Sequence, residues 1–238
     1  DSINYIIYSN GTILLRGTGE MYNYDNENPS PFYDNKNLKT LMVSDNITSI
    51  GKYAFRNCEN LTSVSLPTNL KTLGSGCFWY KYENLGEVNG LTSIAIPNSV
   101  TEIEDGALWG SAITSLTIPP SVETVGRSVC QGCINLETVR YEGSIIGEHM
   151  FNLCAGLKNF TIAKTVTEIS AFAFRNCSNL EIIIYEGSIE EWANITKGQS
   201  WEGRTYMNED VSRLGKIQCT DGYMQFDSEN KVWFEVRE

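Results

Sequence analysis

The sequence predicts a solenoid, that is, a chain wound into stacked coils of similar length. One short segment recurs almost unchanged, as LTSVSLP from Leu61, LTSIAIP from Leu91 and ITSLTIP from Ile113. A second element, typified by VTEISAFAFRNC from Val166, follows the first along most of the chain. Self-similarity with a period of about 20–50 residues is typical of solenoids, whose units bury their apolar side chains against their neighbours.

The first element of each unit is expected to form a strand. In LTSVSLP the apolar Val64 and Leu66 alternate with polar residues, which favours a short strand with one buried face. Stacked in phase, these strands are expected to form one parallel sheet with a spacing of about 4.8 Å. The units start at Leu38, Leu61, Leu91, Ile113, Leu136, Leu157 and Leu180, and the longer interval before Leu91 indicates an insertion.

The second element is expected to close each coil. Ala-Phe pairs such as Ala54-Phe55 and Ala173-Phe174 are predicted to fill the interior from a short helical turn. Glycine can adopt the positive φ that a bend in the backbone needs. We expect that role for Gly51, Gly74, Gly126 and Gly147. The apolar positions of this element are Ile50, Leu73, Ile103, Val125, Ile146 and Ile169.

The repeats run without a linker, which predicts one domain over residues 1–238. About seven repeats occupy residues 38–186. Residues 1–37 are predicted to form an N-terminal cap, with a hairpin that turns at Asn10-Gly11. Residues 187–238 are predicted to form a C-terminal cap, in which strands turn at Asp221-Gly222. A single unit buries too little apolar surface to fold alone, so the ends need caps.

The charge of the chain excludes two classes of partner. The formal net charge is −11 and the isoelectric point is about 4.7, and basic residues form no cluster. Nucleic acids and anionic membranes both require a basic surface, so we expect neither as a partner. No apolar run approaches the length of a membrane span, and direct membrane insertion is therefore not expected.

The seven cysteines follow the repeat. Six of them occupy positions of the AFRNC element that favour a small buried hydrophobe, which predicts buried free thiols. Two alternatives remain, a disulfide between adjacent coils and a metal site at the Cys130-x-x-Cys133 pair, which has no second pair. We predict no cofactor and no metal. The six are Cys58, Cys77, Cys130, Cys133, Cys154 and Cys177, and Cys219 lies outside the repeat.

Two residue patterns invite a catalytic interpretation. His149, the only histidine, precedes Cys154 by five residues, but the repeat places Cys154 in the core and His149 on a turn. The acidic residues at 190–191 and 102–105 could form a glycosidase pair, which needs two carboxylates across a cleft. They fall in polar turns and are predicted to be solvated. We therefore predict no catalytic residue and no enzymatic activity.

The outward face of the strands is the first candidate binding surface. Its columns are flat and rich in hydroxyl groups. The candidate ligand-binding residues are Ser65, Thr117, Arg140 and Thr161, which share one column. The alternative is a plain solvated sheet, because threonine is favoured in strands whether or not a ligand binds.

The second candidate binding surface is aromatic. Trp79 and Trp109 fall in one polar column on adjoining coils, and Tyr80 and Tyr82 follow Trp79 in the inserted stretch. Exposed aromatic residues that are grouped beside polar neighbours are enriched in contact sites. The alternative is a small local core that covers the insertion.

The repeat pattern resembles the BspA-like leucine-rich repeats of surface and secreted proteins from bacteria and some protists. The segments LTSIAIPNSVTEIEDGALWG and KNFTIAKTVTEISAFAFRNC carry this resemblance. It implies a right-handed, curved leucine-rich-repeat solenoid with parallel strands on the concave face and short helical or irregular turns on the convex side. It also implies an extracellular or cell-surface location and roles in adhesion or protein binding, and the family carries no catalytic motif.

Together these observations predict a non-enzymatic extracellular binding or adhesion module. Its expected partner is a host or neighbouring-cell protein or a surface glycan. One alternative is a structural spacer within a larger cell-surface protein, without a ligand of its own. The other is a hydrolase of surface polymers, which the absence of a coherent acid, base or nucleophile set disfavours.

Overall fold

The chain winds into stacked coils, and each full coil contributes strands to two different sets of sheets. The computed structural model describes residues 3–80, 89–203 and 213–237. One helix, α1 (Ile189–Asn194), accompanies the strands in this part of the chain. The strands, in chain order, are β1 (Asn4–Ile7), β2 (Thr12–Arg16), β3 (Gly19–Glu20), β4 (Thr40–Val43), β5 (Ile47–Ile50), β6 (Ser63–Ser65), β7 (Thr72–Leu73), β8 (Glu102–Ile103), β9 (Ser115–Ile118), β10 (Thr124–Val125), β11 (Thr138–Tyr141), β12 (Ile145–Ile146), β13 (Asn159–Ile162), β14 (Glu168–Ile169), β15 (Ile182–Tyr185), β16 (Thr196–Lys197), β17 (Lys216–Cys219), β18 (Gly222–Asp227) and β19 (Val232–Arg237).

The strands of the first repeat element form two sheets, which we call the front sheets. Their strand orders are β1-β2-β4-β6 and β9-β11-β13-β15-β17-β18-β19. The prediction of one continuous sheet is wrong at residues 91–97, where the only pairing in the described chain is an isolated bridge from Ser93 to Ser63. This break follows the longer interval between units, whereas Ile94 and Ile96 still pack against the core.

The second repeat element forms short strands as well, which we call the back sheets. Their orders are β3-β5-β7-β8-β10 and β12-β14-β16, and all of these pairs are parallel. The Ala-Phe pairs follow these strands in irregular turns, not in the short helical turns that the sequence suggests.

The described residues contain no helix long and apolar enough to cross a bilayer.

The coils stack in phase. In the larger front sheet, Leu116 lies opposite Val139, Val139 opposite Phe160, and Phe160 opposite Ile183, without any slip. All four side chains are buried. Because side chains alternate along a strand, this register keeps one column of apolar residues inside and leaves the hydroxyl-rich columns outside.

The interior contains a ladder of aromatic rings, one per coil where the repeat supplies them. Phe32, Phe55 and Phe78 stack with ring centroids 5.1 and 5.7 Å apart. Phe151 and Phe174 stack at 5.8 Å. The prediction that the Ala-Phe pairs fill the core is confirmed, since Phe55 and Phe174 are almost completely buried.

The glycines after the back strands have a different role from the predicted one. Gly51, Gly74, Gly126 and Gly147 do not adopt positive φ. A Cβ at Gly74 would lie 2.6 Å from the Ile50 carbonyl oxygen of the preceding coil, so these positions need glycine because two backbones approach closely. The positive φ falls two residues later, at Tyr53, Gly76, Ser128 and His149.

The N-terminal segment continues the stack. Strands β1 and β2 form the predicted hairpin, in which Gly11 has φ of 85° and the Asn10 side chain accepts a hydrogen bond from the Thr12 amide at 3.0 Å. Strand β2 then pairs in parallel with β4. Stacking therefore begins within residues 1–37, before the first predicted repeat.

The C-terminal segment closes the other end of the core. Strand β17 pairs in parallel with β15 and continues into the antiparallel strands β18 and β19. Helix α1 begins with a capping box between Ser188 and Glu191. The rings of Trp192, Trp201 and Trp233 then lie in sequence, with centroids 5.7 and 6.3 Å apart, and cover the last coil.

The Phe174→Ala variant is expected to lose about 3–5 kcal/mol of unfolding free energy, because it leaves a cavity beside Phe151 and Phe160. Urea melts followed by circular dichroism measure the change. Tyr22→Ala, at a side chain that is 64% exposed, is the control. Equal midpoints for both variants would contradict the assignment of Phe174 to the interior.

The Gly74→Ala variant is expected to lose about 1–3 kcal/mol or more, since the added methyl meets backbone atoms at 2.6 and 2.8 Å that cannot move independently. Gly215→Ala is the matched control, because the nearest atom to its Cβ is 3.7 Å away. Thermal melts of the two variants test the comparison. An unchanged melting temperature for Gly74→Ala would refute the close approach of the coils.

Candidate functional site

The two predicted tryptophans lie together on the outside of the coils. Trp79 and Trp109 follow β7 and β8, and their rings stack with centroids 5.1 Å apart and planes 15° apart. Both side chains are half-buried. Because adjacent coils stack in phase, residues in one column of the repeat become direct neighbours in space.

A cation extends this stack by one more coil. The Arg56 guanidinium carbon lies 4.2 Å from the centroid of Trp79 and 5.2 Å from that of Tyr53. Arg56 also donates a hydrogen bond from Nη1 to Asn26 Oδ1 at 3.1 Å. We call the set Tyr53, Arg56, Trp79 and Trp109 the outer aromatic cluster.

The order of the coils determines which ring faces are covered. Arg56, Trp79 and Trp109 belong to three successive coils, so Trp79 lies between the guanidinium and the second indole. Among the described residues, the only ring partner of Trp109 is Trp79. Trp79 is therefore held in place by its own neighbours, whereas Trp109 contributes its outer surface to the solvent side.

A shallow groove of about 280 Å³ runs beside this cluster. Tyr53, Trp79 and Trp109 line it together with Asp105 and Arg127. Two of the charged groups already have partners. Asp105 accepts a hydrogen bond from the Arg127 amide at 2.7 Å. The Arg127 guanidinium in turn forms a 2.7 Å ion pair with Glu148. The groove thus offers aromatic surface with a polar rim, to which Lys52 also contributes.

The two predicted tyrosines are less informative. Tyr80 is half-buried, and its hydroxyl lies 3.4 Å from the Asn89 amide nitrogen. Tyr82 lies outside the described residues. The interpretation as a small local core fits Trp79, which is sandwiched, better than Trp109, which forms a wall of the groove.

The predicted front-sheet residues lie in one outward column, but not all in one sheet. Thr117, Arg140 and Thr161 are directly opposite one another in the ladders of β9, β11 and β13. Ser65 belongs to the smaller front sheet, on the other side of the break. The column lies on the front sheets and the tryptophans lie in the turns after the back strands, so the structure does not bring the two predicted surfaces together.

Arg140 forms ion pairs with two glutamates. Its Nε donates to Glu142 at 2.6 Å, and its two terminal nitrogens donate to Glu186 at 2.7 and 3.1 Å. These bonds raise the pKa of Arg140, and the guanidinium lowers the pKa of Glu186 below its ordinary value. The charge of Arg140 is therefore matched inside the protein, which weakens it as an anchor for an acidic ligand.

His149 and Cys154 do not form a catalytic pair. The Cys154 thiol is buried, donates to the Cys130 carbonyl at 3.1 Å, and has its pKa raised by burial. The His149 ring stacks on Phe172 at 5.1 Å, and burial lowers the pKa of His149. A nucleophile needs an accessible thiolate beside a base, and this geometry supplies neither.

The acidic residues hold turns in place. Glu104 Oε2 accepts hydrogen bonds from both the amide and the hydroxyl of Ser75, on the adjacent coil, at 2.8 Å. Glu191 accepts from the Ser188 amide in the helix cap. Glu104 therefore joins two adjacent coils, whereas Glu191 caps its own helix. Glu102 lies in β8 and Glu190 in α1, so the two groups of acidic residues belong to different coils.

The cysteines are buried and none forms a disulfide. Those in the last position of the AFRNC element donate their S–H groups to a carbonyl of the preceding coil. Cys58 reaches the Phe32 oxygen at 3.0 Å, Cys133 the Leu108 oxygen at 3.2 Å, and Cys177 the Phe151 oxygen at 3.1 Å. The described residues contain no group of three or more histidine, cysteine or acidic side chains that could hold a metal ion.

Sequence reasoning missed the contribution of Arg56 and Tyr53 to the site. Arg56 occupies the same column as Trp79 one coil earlier, so the column itself was a usable signal. Tyr53 left no comparable signal, because its ring reaches the cluster from a residue with φ of 54°. A positive φ at a non-glycine residue is not visible in a sequence pattern.

With the repeat geometry established, comparison with known proteins decides the family. A profile of the BspA type leucine rich repeat region matches residues 26–89 and 86–196, in six copies. The chain belongs to this family. The match spans the coils that carry both candidate surfaces, and no curated protein matches the chain.

Solved structures of leucine-rich repeat proteins match this chain at low sequence identity. A leucine-rich repeat protein from Bacteroides ovatus ATCC 8483 is 18% identical with a TM-score of 0.50, and the match covers 93% of this chain and 76% of that one. The leucine-rich repeat protein of T. pallidum is 17% identical with a TM-score of 0.47, covering 89% and 90%. A leucine rich cell surface protein from Faecalibacterium prausnitzii A2-165 is 16% identical with a TM-score of 0.32, covering 82% and 96%. The Bacteroides ovatus structure supports the fold, and at this identity it supports nothing more.

Native cysteines are expected to resist a thiol reagent such as DTNB at about pH 8. Burial raises the pKa of Cys58 and Cys177 to about 12, so the reactive thiolate is scarce until the pH approaches that value. In denaturing urea all seven thiols should react. Rapid stoichiometric labelling of the native protein would contradict the buried thiol column.

Proposed function

We propose that this chain is a non-enzymatic binding or adhesion module, located at a cell surface or in the extracellular space. Its proposed partner is a host or neighbouring-cell protein or a surface glycan. Membership in the BspA type repeat family supports this class of function. The outer aromatic cluster is the observation that carries the proposal.

The cluster has the physical properties of a contact anchor. Large aromatic side chains contribute most to binding when they are fixed before the partner arrives, because little conformational entropy is then lost. Trp79 is fixed between Arg56 and Trp109 at 4.2 and 5.1 Å. Trp109 stacks on this fixed ring and presents its remaining surface to the groove.

The shape of the groove selects the kind of partner. Sites that engulf small molecules are usually deeper and bury about 70–90% of the ligand surface. A shallow groove of about 280 Å³ on a turn of the solenoid instead suits a projecting part of a larger molecule. A sugar ring or a side chain on a protein loop has an apolar face for Trp109 and polar groups for the rim.

The hydroxyl column of the front sheets is the weaker candidate surface. Ser65 and Thr117 are exposed and available for hydrogen bonds, and Thr161 is partly exposed. Arg140, the one cation in this column of candidates, is already matched by Glu142 and Glu186. The column can therefore add contacts to a partner but lacks an anchor of its own.

The test is a binding screen of the chain against arrays of host matrix proteins, mucins and surface glycans. The Trp79→Ala/Trp109→Ala double variant is expected to weaken capture by about 30-fold or more, as the loss of an interface hot spot does. Trp109→Ala alone should account for most of this loss, since it leaves Arg56 and Trp79 in contact.

Tyr22→Ala serves as the control, because it removes an aromatic ring that is 64% exposed elsewhere on the surface. Urea melts establish that each variant is folded. Equal capture by the wild type and the double variant would assign binding to another surface. If the wild type captures nothing above background, the spacer function replaces the proposed one.

A further inference from the structure

The two ends of the solenoid differ in how their apolar residues are covered. At the C-terminal end, Trp201 and Trp233 cover the last coil beneath β18 and β19. At the N-terminal end, Tyr5 and Ile7 lie opposite the buried residues Leu15 and Ile13 in the β1–β2 ladder, so they share the inward face of the sheet. They nevertheless remain 46% and 57% exposed.

Strand β1 also has an unpaired edge. It is the terminal strand of its sheet, and among the described residues no strand lies along its outer side. Its unpaired N–H and C=O groups form a template for another strand. Natural proteins usually protect such an edge with lysine, proline or an inward-pointing charge. Residues 3–15 contain no charged residue and no proline.

The edge at the other end of the solenoid carries this protection. Strand β19 contains Glu235 and Arg237 and follows Lys231. Glu235 lies opposite Met224 and therefore on the inward face of the sheet. A second strand added there would bury the ion pair that Glu235 forms with Arg237 at 3.4 Å, and removing both charges from water is costly. Of these two edge strands in the described part of the chain, β19 therefore carries this protection and β1 does not.

The surroundings of β1 are complementary to a reversed copy of themselves. A groove of about 400 Å³ at one end of the strand is lined by Ile7 and Tyr8 and carries Lys39, together with Lys36, whose ammonium lies 3.9 Å from Glu59. A groove of about 380 Å³ at the other end is lined by Tyr5 and Tyr22 and carries Glu20. In an antiparallel arrangement, the basic groove of one copy meets the acidic groove of the other.

We propose that two copies of this chain pair through β1, in antiparallel orientation about a twofold axis at Ile6. Tyr5 then lies opposite the partner's Ile7, an aromatic and β-branched pair of the kind that stabilises sheets. The four-stranded front sheet becomes an eight-stranded sheet across the two copies. A twofold contact uses the same surface on both copies, so the assembly closes as a dimer.

The overall charge supports this location for the contact. A chain with a net charge of −11 repels its own copies over most of its surface. The uncharged strand, with Lys39 in the groove at one end and Glu20 in the groove at the other, avoids that repulsion. A contact between β1 and β19 would instead leave free ends and produce open filaments.

Sedimentation velocity on the 238-residue chain tests the proposal. The wild type is expected to sediment as a dimer of the 26.6 kDa chain at about 100 µM, where a micromolar Kd leaves most copies paired. Ile7→Lys is expected to raise the dimer Kd by about 30-fold or more, because it places two ammonium groups in the joined sheet. A monomeric wild type overturns the proposal.

Val232→Lys is the matched control. Val232 is 50% exposed on the opposite edge strand, so the same type of residue is changed in a similar setting. It should leave the dimer intact. Thermal melts check that Ile7→Lys is folded. A folded Ile7→Lys protein that remains dimeric overturns the proposal, as does a dimer that only Val232→Lys disrupts.

A cross-linking experiment tests the register independently of stability. Ile6→Cys is expected to form an intermolecular disulfide on mild oxidation, because directly opposed residues in an antiparallel pair have Cα atoms about 4.5–5.5 Å apart. The native cysteines are buried and do not compete. Phe234→Cys, at a residue that is 46% exposed on β19, should remain unlinked. Equal cross-linking of the two variants would contradict the pairing.

Discussion

The structure depends on in-phase hydrogen bonding between the backbones of successive coils. Each front strand is short and bonds mainly to the coil before and the coil after, so the core exists only because register is kept from unit to unit. In-register pairing of Leu116, Val139 and Phe160 keeps the apolar column inside. The same phase places Trp79 over Trp109, and the candidate site is therefore a consequence of the stacking itself.

Much of the fold could be predicted because the repeat units are similar enough in sequence to be aligned with one another. Alternation in LTSVSLP predicts the strand and its inward residues, and the Ala-Phe pairs predict the filled interior. The role of the glycines could not be predicted, because Gly74 is required by the Ile50 carbonyl of another coil. Contacts between backbones of different units leave no local pattern.

The candidate site was predictable only in part, for the same reason. A shared column predicts that Trp79 and Trp109 are neighbours, but it does not say which ring faces remain open. That depends on Arg56, whose guanidinium covers one face of Trp79. Arg140 shows the opposite case, in which a residue that is exposed in the pattern is neutralised by Glu186, far along the chain. Side-chain partners of this kind are properties of the folded surface.

The bridge from Arg140 to Glu186 affects how the stack unravels. Arg140 lies on β11 and Glu186 follows β15, so the ion pair passes over β13. Repeat proteins are usually described as linear arrays in which each unit senses only its immediate neighbours. An ion pair that skips one unit couples repeats that are not neighbours. The last coils are therefore expected to unfold together instead of one at a time.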